Sequence, residues 1–540
     1  MVILEEPSHR YLIEFNIQAA ELVRTDVLII GSGVAGLRAA LEASNSGSVA
    51  IVTKSLRHES NTYYAQGGIA AALNPDDNKQ MHIEDTISAG KGLCENEIVD
   101  IVVREGIPRV EELISWGVQF DKTSGGEPAF TAEGGHSAKR ILHCHGDHTG
   151  KEIERGLLQE CSRRKNITFF ENNYVVDILT SDNRTCGAVA QNDKGKIVGF
   201  LSKVVILASG GCGQLFRETT NPNITTGDGF AMALRAGCVL RDMEFVQFHP
   251  TTLYIAGAER TLITEAARGE GALLKNRLGH RFMPDYHPQS ELAPRDVVSA
   301  SMIREMKKTE AVCVYLDMTQ LGEELTSRRF PNICEVCQRY GLNPSTDLIP
   351  VRPSVHYMIG GVETDSHGRT AVQGLFAAGE VASSGLNGAN RLGSNSLLEG
   401  LVFGYRAGLA AGDYLDGPAV PAACSFKHEN ATTFDAHIDI RDMINTLKAT
   451  MWRKVGIERE EIHLQEVSRN LDFWCSYALV SRARDVAGWT LQNMLTLAKV
   501  ITRAALRREE TRGTHQRLDF PYTDDKNWKT HSRYQRVIHG

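Results

Sequence analysis

Several features are absent from this 540-residue chain. It has no apolar run of about 18 residues or more, which excludes a membrane-spanning helix. Its 59 Lys and Arg residues are outnumbered by 66 Asp and Glu residues, and the net charge of −7 argues against nucleic acid as a partner. Residues 1–25 lack the basic and apolar stretches of a secretory signal, so we expect a short N-terminal extension. The 11 cysteines are an odd number without framework spacing, which indicates a reducing, cytoplasmic setting.

Metal-ligand spacing is also missing from two places where Cys and His residues crowd together. The segment Cys334–Cys337 has the spacing of a redox or zinc pair, but no second pair accompanies it. We interpret it as one face of a helix over residues 330–340. The segment His143–His148 has no ordered donor spacing and directly precedes a Thr-Gly pair. A turn is favoured there over a metal site, and no metal is expected.

A glycine-rich turn between a strand and a helix is the most informative local motif. The apolar stretch Asp26–Ile30 leads into Gly31-Ser-Gly-Val-Ala-Gly36, and an amphipathic helix follows. The first glycine permits a tight turn, the second lets the backbone approach a pyrophosphate, and the third lets the helix pack near the strand. Because free N–H groups at a helix N-terminus stabilise an anion, the motif predicts dinucleotide binding. The expected contacts are Ser32, Gly33, Val34 and Ala35.

The second strand bears on the choice between nicotinamide and flavin dinucleotides. It covers residues 48–52 and ends in Thr53-Lys54, where a nicotinamide or flavin site usually has an acid that binds the ribose. The missing acid weakens an NAD assignment, and Lys54 faces either a phosphate or solvent. Residues 60–68 and 374–380 have small side chains and glycines that let backbone lie against a ligand. One long cofactor held by such distant segments favours FAD.

Eight stretches resemble, in order, the motifs of the succinate dehydrogenase/fumarate reductase flavoprotein family. They are Ser60–Gly68, Glu133–Ser137, Gly227–Gly229, Gln247–Thr251, Thr264–Gly271, Leu292–Asp296, His356–Gly361 and Gly388–Glu399. The chain beyond residue 400 is similar to the helical C-terminal domain of the same family. The resemblance implies an α/β fold with a Rossmann-like FAD-binding domain, an inserted α+β capping domain and a C-terminal helical bundle domain.

The expected domain boundaries combine this resemblance with the sequence pattern, because the chain is too long for one core. After the extension, residues 26–248 and 357–422 would form the FAD-binding domain, and residues 249–356 a cap that closes on it. A Gly-Pro-rich linker is expected at 417–421. Residues 430–540 would form the helical domain, with helices over 438–457, 458–480 and 481–508.

The resemblance also implies which residues contact the cofactor. Beyond the glycine-rich turn, they are Lys54, Asn61, Thr62, Tyr63, Tyr64, Ala65, Gln66, Gly67, Gly68, Asp228, Glu380, Ser396 and Leu397. For a four-carbon dicarboxylate, it implies that Arg391, His356 and His249 bind the carboxylates, and that Thr264 is a neighbouring hydroxyl donor. Arg suits this role because its guanidinium can bind a carboxylate through two hydrogen bonds.

Arg295 is the expected catalytic residue, since the family's cap arginine exchanges a proton with the substrate carbon. An arginine is normally only an acid, so basic action needs a relay to neighbouring groups. Glu265 and Arg268 are the favoured relay members, and Asp296 is a weaker choice. The structural alternative for these three residues is a set of ion pairs that supports the loop.

Two positions discriminate within the family. Covalent members have a histidine directly before the threonine of the Ala-Gln-Gly-Gly stretch, and this chain has Asn61 there. We therefore expect non-covalent FAD. Glu133 stands where the succinate and fumarate enzymes carry an apolar residue. A carboxylate would repel a dicarboxylate, but it suits L-aspartate, whose α-ammonium group it could pair with.

These features predict a flavoenzyme that oxidises L-aspartate to iminoaspartate with O2 or fumarate as acceptor. Its product would feed quinolinate formation in NAD biosynthesis, and transient contact with the quinolinate-forming enzyme is inferred from that pathway alone. The alternatives are a soluble fumarate reductase or succinate dehydrogenase flavoprotein, and a flavin-binding protein without turnover.

Overall fold

The computed structural model describes residues 2–4, 9–16, 20–258, 260–415, 425–426, 438–481 and 483–536. At its centre lies a parallel five-stranded sheet. Its strands, in spatial order, are Leu375–Ala377, Val204–Leu207, Val27–Ile30, Val49–Val52 and Ile167–Phe170. Ile30 is in register with both Leu207 and Val52, so the loops after these three strands open at one edge of the sheet, where α/β proteins bind ligands.

Two helices pack closely on one another beside this sheet. The helix Val34–Ala43 follows the glycine-rich turn, and the helix Asn395–Tyr414 lies against it. A side chain at Gly404 would lie 2.6 Å from the Ala35 carbonyl oxygen, and one at Gly408 would lie 2.6 Å from that of Ala39. The glycine repeat therefore brings two backbones together, and it joins the two chain segments of the FAD-binding domain.

A four-stranded antiparallel sheet forms the inserted domain. In spatial order its strands are Val246–Leu253, Ile349–Met358, Val314–Asp317 and Leu273–Lys275. The first two strands carry the chain into and out of the insertion and pair with each other. The predicted boundaries at 249 and 356 fall within these two strands. His249 is opposite Ser354, two residues from His356.

Two further sheets contain the described strands that lie nearest to the chain termini. One contains Tyr174–Ser181, Arg184–Gln191, Ile197–Leu201 and Glu21–Arg24, and the other Val2–Leu4, Arg533–Arg536, Leu240–Arg241, Gly361–Glu363 and Ala382–Ser383. Tyr11, Leu12 and Phe15 are buried against the first of these sheets. The described part of the predicted N-terminal extension thus belongs to the folded body.

The C-terminal part contains three long helices, Ile440–Lys454, Glu461–Ala478 and Val486–Arg507. Each begins a few residues later than the sequence pattern predicts. Asp439 and Asp485 explain two of these starts, because their side chains accept hydrogen bonds from Asp442 N–H and Gly488 N–H as helix caps. The predicted linker at 417–421 lies outside the described residues.

The remaining elements are short or peripheral. The other helices are Lys79–Ala89, Asn96–Ser115, Thr149–Ser162, Asp228–Arg235, Ala266–Gly269, Met283–Tyr286, Arg295–Lys308, Gly322–Arg329, Pro331–Arg339 and Asp525–Trp528. Short 3-10 turns cover Gly213–Leu215, Ser290–Leu292 and Thr319–Leu321. Small sheets pair Ile69–Ala70, Ile141–Leu142 and Phe130–Thr131, then Phe15–Asn16 with Ser425–Phe426, and Glu458–Arg459 with Gln516–Arg517. Among the described helices, none is long and apolar enough to cross a membrane.

Candidate active site

A long cleft of about 1430 Å³ opens at the edge of the central sheet where the strands end. We call it the long cleft. Its walls include thirteen of the predicted cofactor contacts, which are Ser32, Gly33, Val34, Ala35, Lys54, Asn61, Thr62, Tyr64, Ala65, Asp228, Glu380, Ser396 and Leu397.

The glycine-rich turn forms part of the wall of this cleft. Gly31 has a φ of +112°, and a side chain there would overlap the carbonyl of Ala208 on the neighbouring strand. Only glycine fits such a position. The helix that follows has no side-chain cap from Gly33, and Thr62 Oγ1 instead accepts a hydrogen bond from Val34 N–H at 3.0 Å. Other N–H groups of this first turn stay available to an anion.

An ion pair occupies the end of the second strand. Lys54 Nζ lies 2.7 Å from Asp228 Oδ2. Burial opposes ionisation of Asp228, but Lys54 and its hydrogen-bond donors hold the pKa of Asp228 below its ordinary value. Asp228 Oδ1 also accepts hydrogen bonds from Tyr174 and Asn493. An acid therefore lies beside the end of the second strand, on a helix that begins 174 residues after Lys54, which local sequence cannot indicate.

Asn61 bridges two walls of the long cleft. Its Nδ2 donates to Glu380 Oε2 at 2.9 Å, and its Oδ1 accepts from Thr225 Oγ1 at 3.2 Å. The other Glu380 oxygen accepts from Met358 N–H at 2.9 Å. Burial raises the pKa of Glu380 to about 7. An amide therefore occupies the position at which covalent family members carry a histidine.

The residues of the long cleft fit FAD. Among the described residues, the buried oxygens without a protein partner include Ser32 Oγ, Ser209 Oγ and Gln66 Oε1. Two of these residues, Ser32 and Ser209, line the cleft directly. Polar atoms without partners are costly in a protein interior, and a ligand with phosphate and hydroxyl groups would satisfy them.

A second cavity, of about 1140 Å³, lies between the flavin-binding core and the inserted domain. We call it the inner cavity. Arg391 lines both the long cleft and the inner cavity, so the two spaces meet at its guanidinium. Glu133, Glu265 and Arg295 also line the inner cavity. The inner cavity thus collects the predicted catalytic residue and the discriminating carboxylate.

Arg295 is part of a buried chain of ion pairs. Its Nε donates to Glu265 Oε2 at 2.6 Å, and Glu265 Oε1 accepts from Arg268 Nη2 at 2.8 Å. Burial opposes the charge on Glu265, but these two arginines lower the pKa of Glu265, which keeps it ionised. Asp296 accepts a hydrogen bond from Asn390 and no hydrogen bond or ion pair between it and Arg295 occurs in the described contacts.

Of the carboxylate-binding candidates, Arg391 lines both spaces, His356 lines the long cleft, and His249 lies beside His356. Arg391 stacks with its Cζ 4.2 Å from the Tyr357 ring centroid, and its Nε has no partner. Burial and the nearby Arg295 lower the pKa of Arg391 to about 10. The rings of His249 and His356 lie 5.3 Å apart. Burial lowers the pKa of both histidines well below the ordinary value, so they are neutral.

Glu133 has one bound and one free oxygen. Its Oε2 accepts from Ser394 Oγ at 2.7 Å, and its Oε1 is buried without a partner. Burial, together with repulsion by Glu265, raises the pKa of Glu133. A cationic ligand group would relieve both effects.

Some predicted residues lie away from these walls. Gly67 borders the inner cavity side, since a side chain there would lie 3.8 Å from Glu133 Oε1. Gly68 packs against residues 141–142, where a side chain would collide. The Tyr63 ring faces away from the long cleft and contacts His58, with centroids 5.6 Å apart. The Thr264 hydroxyl accepts a weak bond from Ala266 N–H at 3.4 Å.

Gln247 is a residue whose role the sequence analysis missed. Its Nε2 donates to the Arg391 carbonyl at 2.7 Å, and its Oε1 accepts from Arg295 Nη1 at 3.1 Å. It therefore ties the predicted catalytic arginine to the carboxylate-binding segment. Its place two residues before His249 in a family motif was the available signal.

The crowded Cys and His segments have structural roles. Residues 334–337 lie on the helix Pro331–Arg339, as predicted. Asp147 of the histidine-rich segment accepts hydrogen bonds from the first N–H groups of that helix, at Asn332 and Ile333. Within the described ranges, no group of three His, Cys, Asp or Glu side chains could hold a metal, and the ten cysteines there are free.

Comparisons with known proteins show which families and structures this chain is similar to. A model of the FAD binding domain matches residues 26–397, and one of the fumarate reductase flavoprotein C-term matches residues 444–538. The L-aspartate oxidase of Streptomyces coelicolor is 41% identical over 533 residues, with 94% of this chain and 91% of the relative covered. That of Yersinia pestis is 40% identical, with 92% and 96% covered. The solved structure of E. coli quinol fumarate reductase FrdA is 33% identical, with a TM-score of 0.89 and 96% of both chains covered.

Proposed function

This chain belongs to the L-aspartate oxidases of the succinate dehydrogenase/fumarate reductase flavoprotein family, and from that premise we propose that it oxidises L-aspartate to iminoaspartate. O2 or fumarate is the proposed electron acceptor. The reaction is the first step of NAD biosynthesis through quinolinate. We further propose a cytoplasmic location and a transient hand-over of iminoaspartate to the quinolinate-forming enzyme.

The observation that carries the proposal is a carboxylate in a cavity otherwise built for anions. Arg268 and Arg295 are buried and both pair with one ionised carboxylate, Glu265, and the buried Arg391 lines the same cavity as Arg295. Glu133 adds a second carboxyl with one free oxygen. A dicarboxylate alone gains nothing from that group, because like charges repel. L-Aspartate presents an α-ammonium group beside its two carboxylates, and an ion pair with Glu133 would orient its Cα.

We assign the substrate carboxylates to Arg391, His249 and His356, near the residue at which the two spaces adjoin. The free Arg391 Nε and its guanidinium offer donors for one carboxylate. His249 and His356 are neutral, so they act as hydrogen-bond donors rather than as cations. His356 Nδ1 is bonded to the Thr220 hydroxyl at 2.9 Å, which leaves its Nε2 for a substrate oxygen. Thr264 remains a proposed neighbouring donor.

Proton exchange is assigned to Arg295. Its Nε is bonded to Glu265, so a proton lost or gained by the guanidinium can be balanced through that carboxylate toward Arg268. This arrangement supports Glu265 and Arg268 as the relay and leaves Asp296 outside it. Gln247 fixes the orientation of Arg295 through its Nη1.

FAD bound in the long cleft supplies the hydride acceptor for the substrate Cα. The chain's part is to hold it without a covalent bond. The helix N-terminus at Gly33–Ala35 would bind its pyrophosphate, while Lys54, Asp228 and Glu380 present charged and polar groups along the cleft. Asn61 offers an amide, which is not a nucleophile toward a flavin ring.

The second candidate function is a fumarate reductase or succinate dehydrogenase flavoprotein. The fold match to FrdA favours it in general terms. Glu133 and Asn61 count against it, because neither a buried extra carboxylate nor an amide at the tether position serves succinate oxidation. The third, a flavin-binding protein without turnover, requires a degraded site, whereas Arg295, Arg391, His249 and His356 are all present and buried together.

The first experiment is an anaerobic titration of the purified yellow protein with L-aspartate, followed by the flavin absorption. Acid precipitation beforehand shows whether the flavin is released. Bleaching by L-aspartate and not by succinate, with free flavin in the supernatant, is the expected result. Bleaching by succinate alone, or flavin retained in the pellet, would move the protein to the dicarboxylate dehydrogenases.

A further inference from the structure

We propose that His136 is a positioning residue of this enzyme, whose neutral imidazole holds the backbone of segment 391–394 and thereby aligns Arg391 and Glu133 for the substrate. The inference rests on the proposed function, which gives these two residues their substrate contacts. His136 itself lines the inner cavity, but its ring Nε2 is hydrogen-bonded within the protein, to the Gly393 carbonyl.

The hydrogen bonds of His136 fix its tautomer. Arg140 Nη1 lies 3.0 Å from His136 Nδ1, and an arginine can only donate. His136 Nδ1 must therefore be the unprotonated nitrogen. The proton is on Nε2, which donates to the Gly393 carbonyl at 3.0 Å. Burial, with His82 and Arg140 adding to it, lowers the pKa of His136 to about 3, so this neutral tautomer persists at physiological pH.

Arg140 is itself held rigidly. Its Nε and Nη2 donate to the two oxygens of Asp77 at 2.8 and 2.9 Å, and its Nη1 also bonds Asp85. The Arg140 side chain is fully buried. Asp85 additionally accepts from Ser137 N–H at 2.8 Å. A buried, bidentate pair of this kind has little freedom, so it fixes the position of the imidazole.

The Gly393 backbone lies close to several charged side chains of the inner cavity. A side chain at Gly393 would lie 3.0 Å from Arg295 Nη2, 3.2 Å from Glu133 Oε2 and 3.3 Å from Glu265 Oε2. The backbone at this residue thus touches the charged groups of the inner cavity. A shift of a few tenths of an ångström there would change all of these contacts.

Two bonds join the turn 133–136 to segment 391–394. His136 Nε2 binds Gly393 O, and Glu133 Oε2 accepts from Ser394 Oγ. His136 N–H also donates to the Glu133 carbonyl at 3.2 Å. The His136 imidazole and the Glu133 carboxylate therefore belong to one turn, and both are hydrogen-bonded to segment 391–394. Loss of the imidazole bond would loosen Arg391 on one side and Glu133 on the other.

The test compares two polar substitutions. In His136→Asn the amide oxygen can still accept from Arg140, but the side chain is too short to reach Gly393. In His136→Gln the oxygen can accept from Arg140 and the nitrogen can donate to Gly393. His143→Leu is the matched control, since it removes another buried imidazole bond, to Thr131 at 2.8 Å, without touching segment 391–394.

Each variant is purified with bound flavin, and its flavin content and melting temperature are recorded. Succinate binding, read from the flavin spectrum, and anaerobic reduction by L-aspartate are then measured. His136→Asn should weaken succinate binding and lower kcat/KM for L-aspartate roughly 10- to 100-fold with flavin content unchanged. His136→Gln should restore both to within about threefold of wild type. His143→Leu should lower only the melting temperature.

Equal succinate binding in His136→Asn and wild type would overturn the positioning role. So would a His136→Gln variant as defective as His136→Asn. If wild type is bleached by succinate and not by L-aspartate, the proposed function fails. The comparison of dicarboxylate binding among the variants still decides the role of His136 in that case.

Discussion

The long cleft and the inner cavity meet at Arg391, but different parts of the chain build them. The long cleft is lined by residues at the ends of parallel strands, and Gly31 and the helix N-terminus after it are part of that lining. The inner cavity is formed by buried charged side chains from two domains, such as Arg295 from the insertion and Glu133 from the flavin-binding core. A common cofactor site and a substrate-specific site can therefore differ in how each tolerates change.

The difference follows from what each ligand requires. A pyrophosphate is bound by N–H groups, which every residue supplies, so the geometry of the main chain decides. A small zwitterion is distinguished by the number and sign of charges around it, so single side chains decide. At the inner cavity Arg295, Glu265 and Arg268 form one hydrogen-bonded group, and Glu133 and Arg391 line the same cavity as Arg295 and Glu265. One substitution there changes the charge balance of the whole site.

The largest effect is expected from Gly31→Ala, which breaks the backbone site. Its φ of +112° and the overlap with the Ala208 carbonyl leave no room for a methyl group. The variant should lose most of its bound flavin on purification, measured as the ratio of flavin to protein absorption. Gly126→Ala is the control, because Gly126 has a similar φ of +88° but open space around it. A Gly31→Ala variant with full flavin content would show that the turn is not critical.

Arg295→Leu should separate the two sites most clearly. Acid–base groups contribute about 10²–10⁴ in rate, so L-aspartate oxidation and fumarate reduction should both fall by roughly that factor. Flavin content should stay at the wild-type level, because Arg295 does not line the long cleft. Glu265→Gln, which removes the charge that holds Arg295, should show a smaller loss. Full turnover in Arg295→Leu would remove this residue from the mechanism.

The two sites also differ in how much of each could be predicted from the sequence alone. The Rossmann turn and the strands around it were predictable, since Gly31 to Gly36 have a local spacing that fixes a local shape. The residues of the inner cavity were predictable only because their sequence motifs resemble those of a known family. Nothing in the spacing of residues 133, 265, 295 and 391 indicates that they meet. Their proximity depends on how the inserted sheet packs on the core.

Other contacts of the site could not be predicted from local sequence. Asp228 reaches Lys54 through a helix far along the chain. Gln247 links Arg295 to Arg391 only because the strand Val246–Leu253 crosses between the domains. Such contacts follow from tertiary packing, which no periodicity in the sequence encodes.

Glu133→Gln sharpens the comparison within the inner cavity, because it changes one charge and little volume. A charge-assisted hydrogen bond contributes about 1.5–3 kcal/mol, so KM for L-aspartate should rise roughly 10- to 100-fold. Fumarate reduction has no ammonium group to lose and should change less than about threefold. Steady-state kinetics with both substrates measure the two effects on one preparation. Ser394→Ala, which frees the second carboxylate oxygen, should show a weaker form of the same pattern. Unchanged aspartate kinetics in Glu133→Gln would refute the ammonium contact.

The prediction with the smallest expected effect on activity concerns a buried carboxyl beside the wall of the long cleft. Both oxygens of Glu154 accept from the hydroxyl of Ser60, a cleft residue, at 3.0 and 3.1 Å. Burial raises the pKa of Glu154 to about 9. The folded chain therefore keeps a proton that the unfolded chain releases above its ordinary pKa near 4.5. Stability should fall as pH rises between these values, by up to about 1.4 kcal/mol for each pH unit.

Glu154→Gln retains a polar partner for Ser60 but cannot ionise, so this loss of stability should disappear. Its melting temperature should fall less than that of wild type between about pH 5 and pH 9. The difference should be greatest at the alkaline end. Glu160→Gln, which changes a carboxyl paired with Arg163 on the same helix, should give an offset that does not grow with pH. Parallel melting curves for Glu154→Gln and wild type would mean that Glu154 is ionised in the folded protein. The cleft wall would then depend on a buried charge, as the inner cavity does, and the contrast between the two sites would be weaker than their contacts indicate.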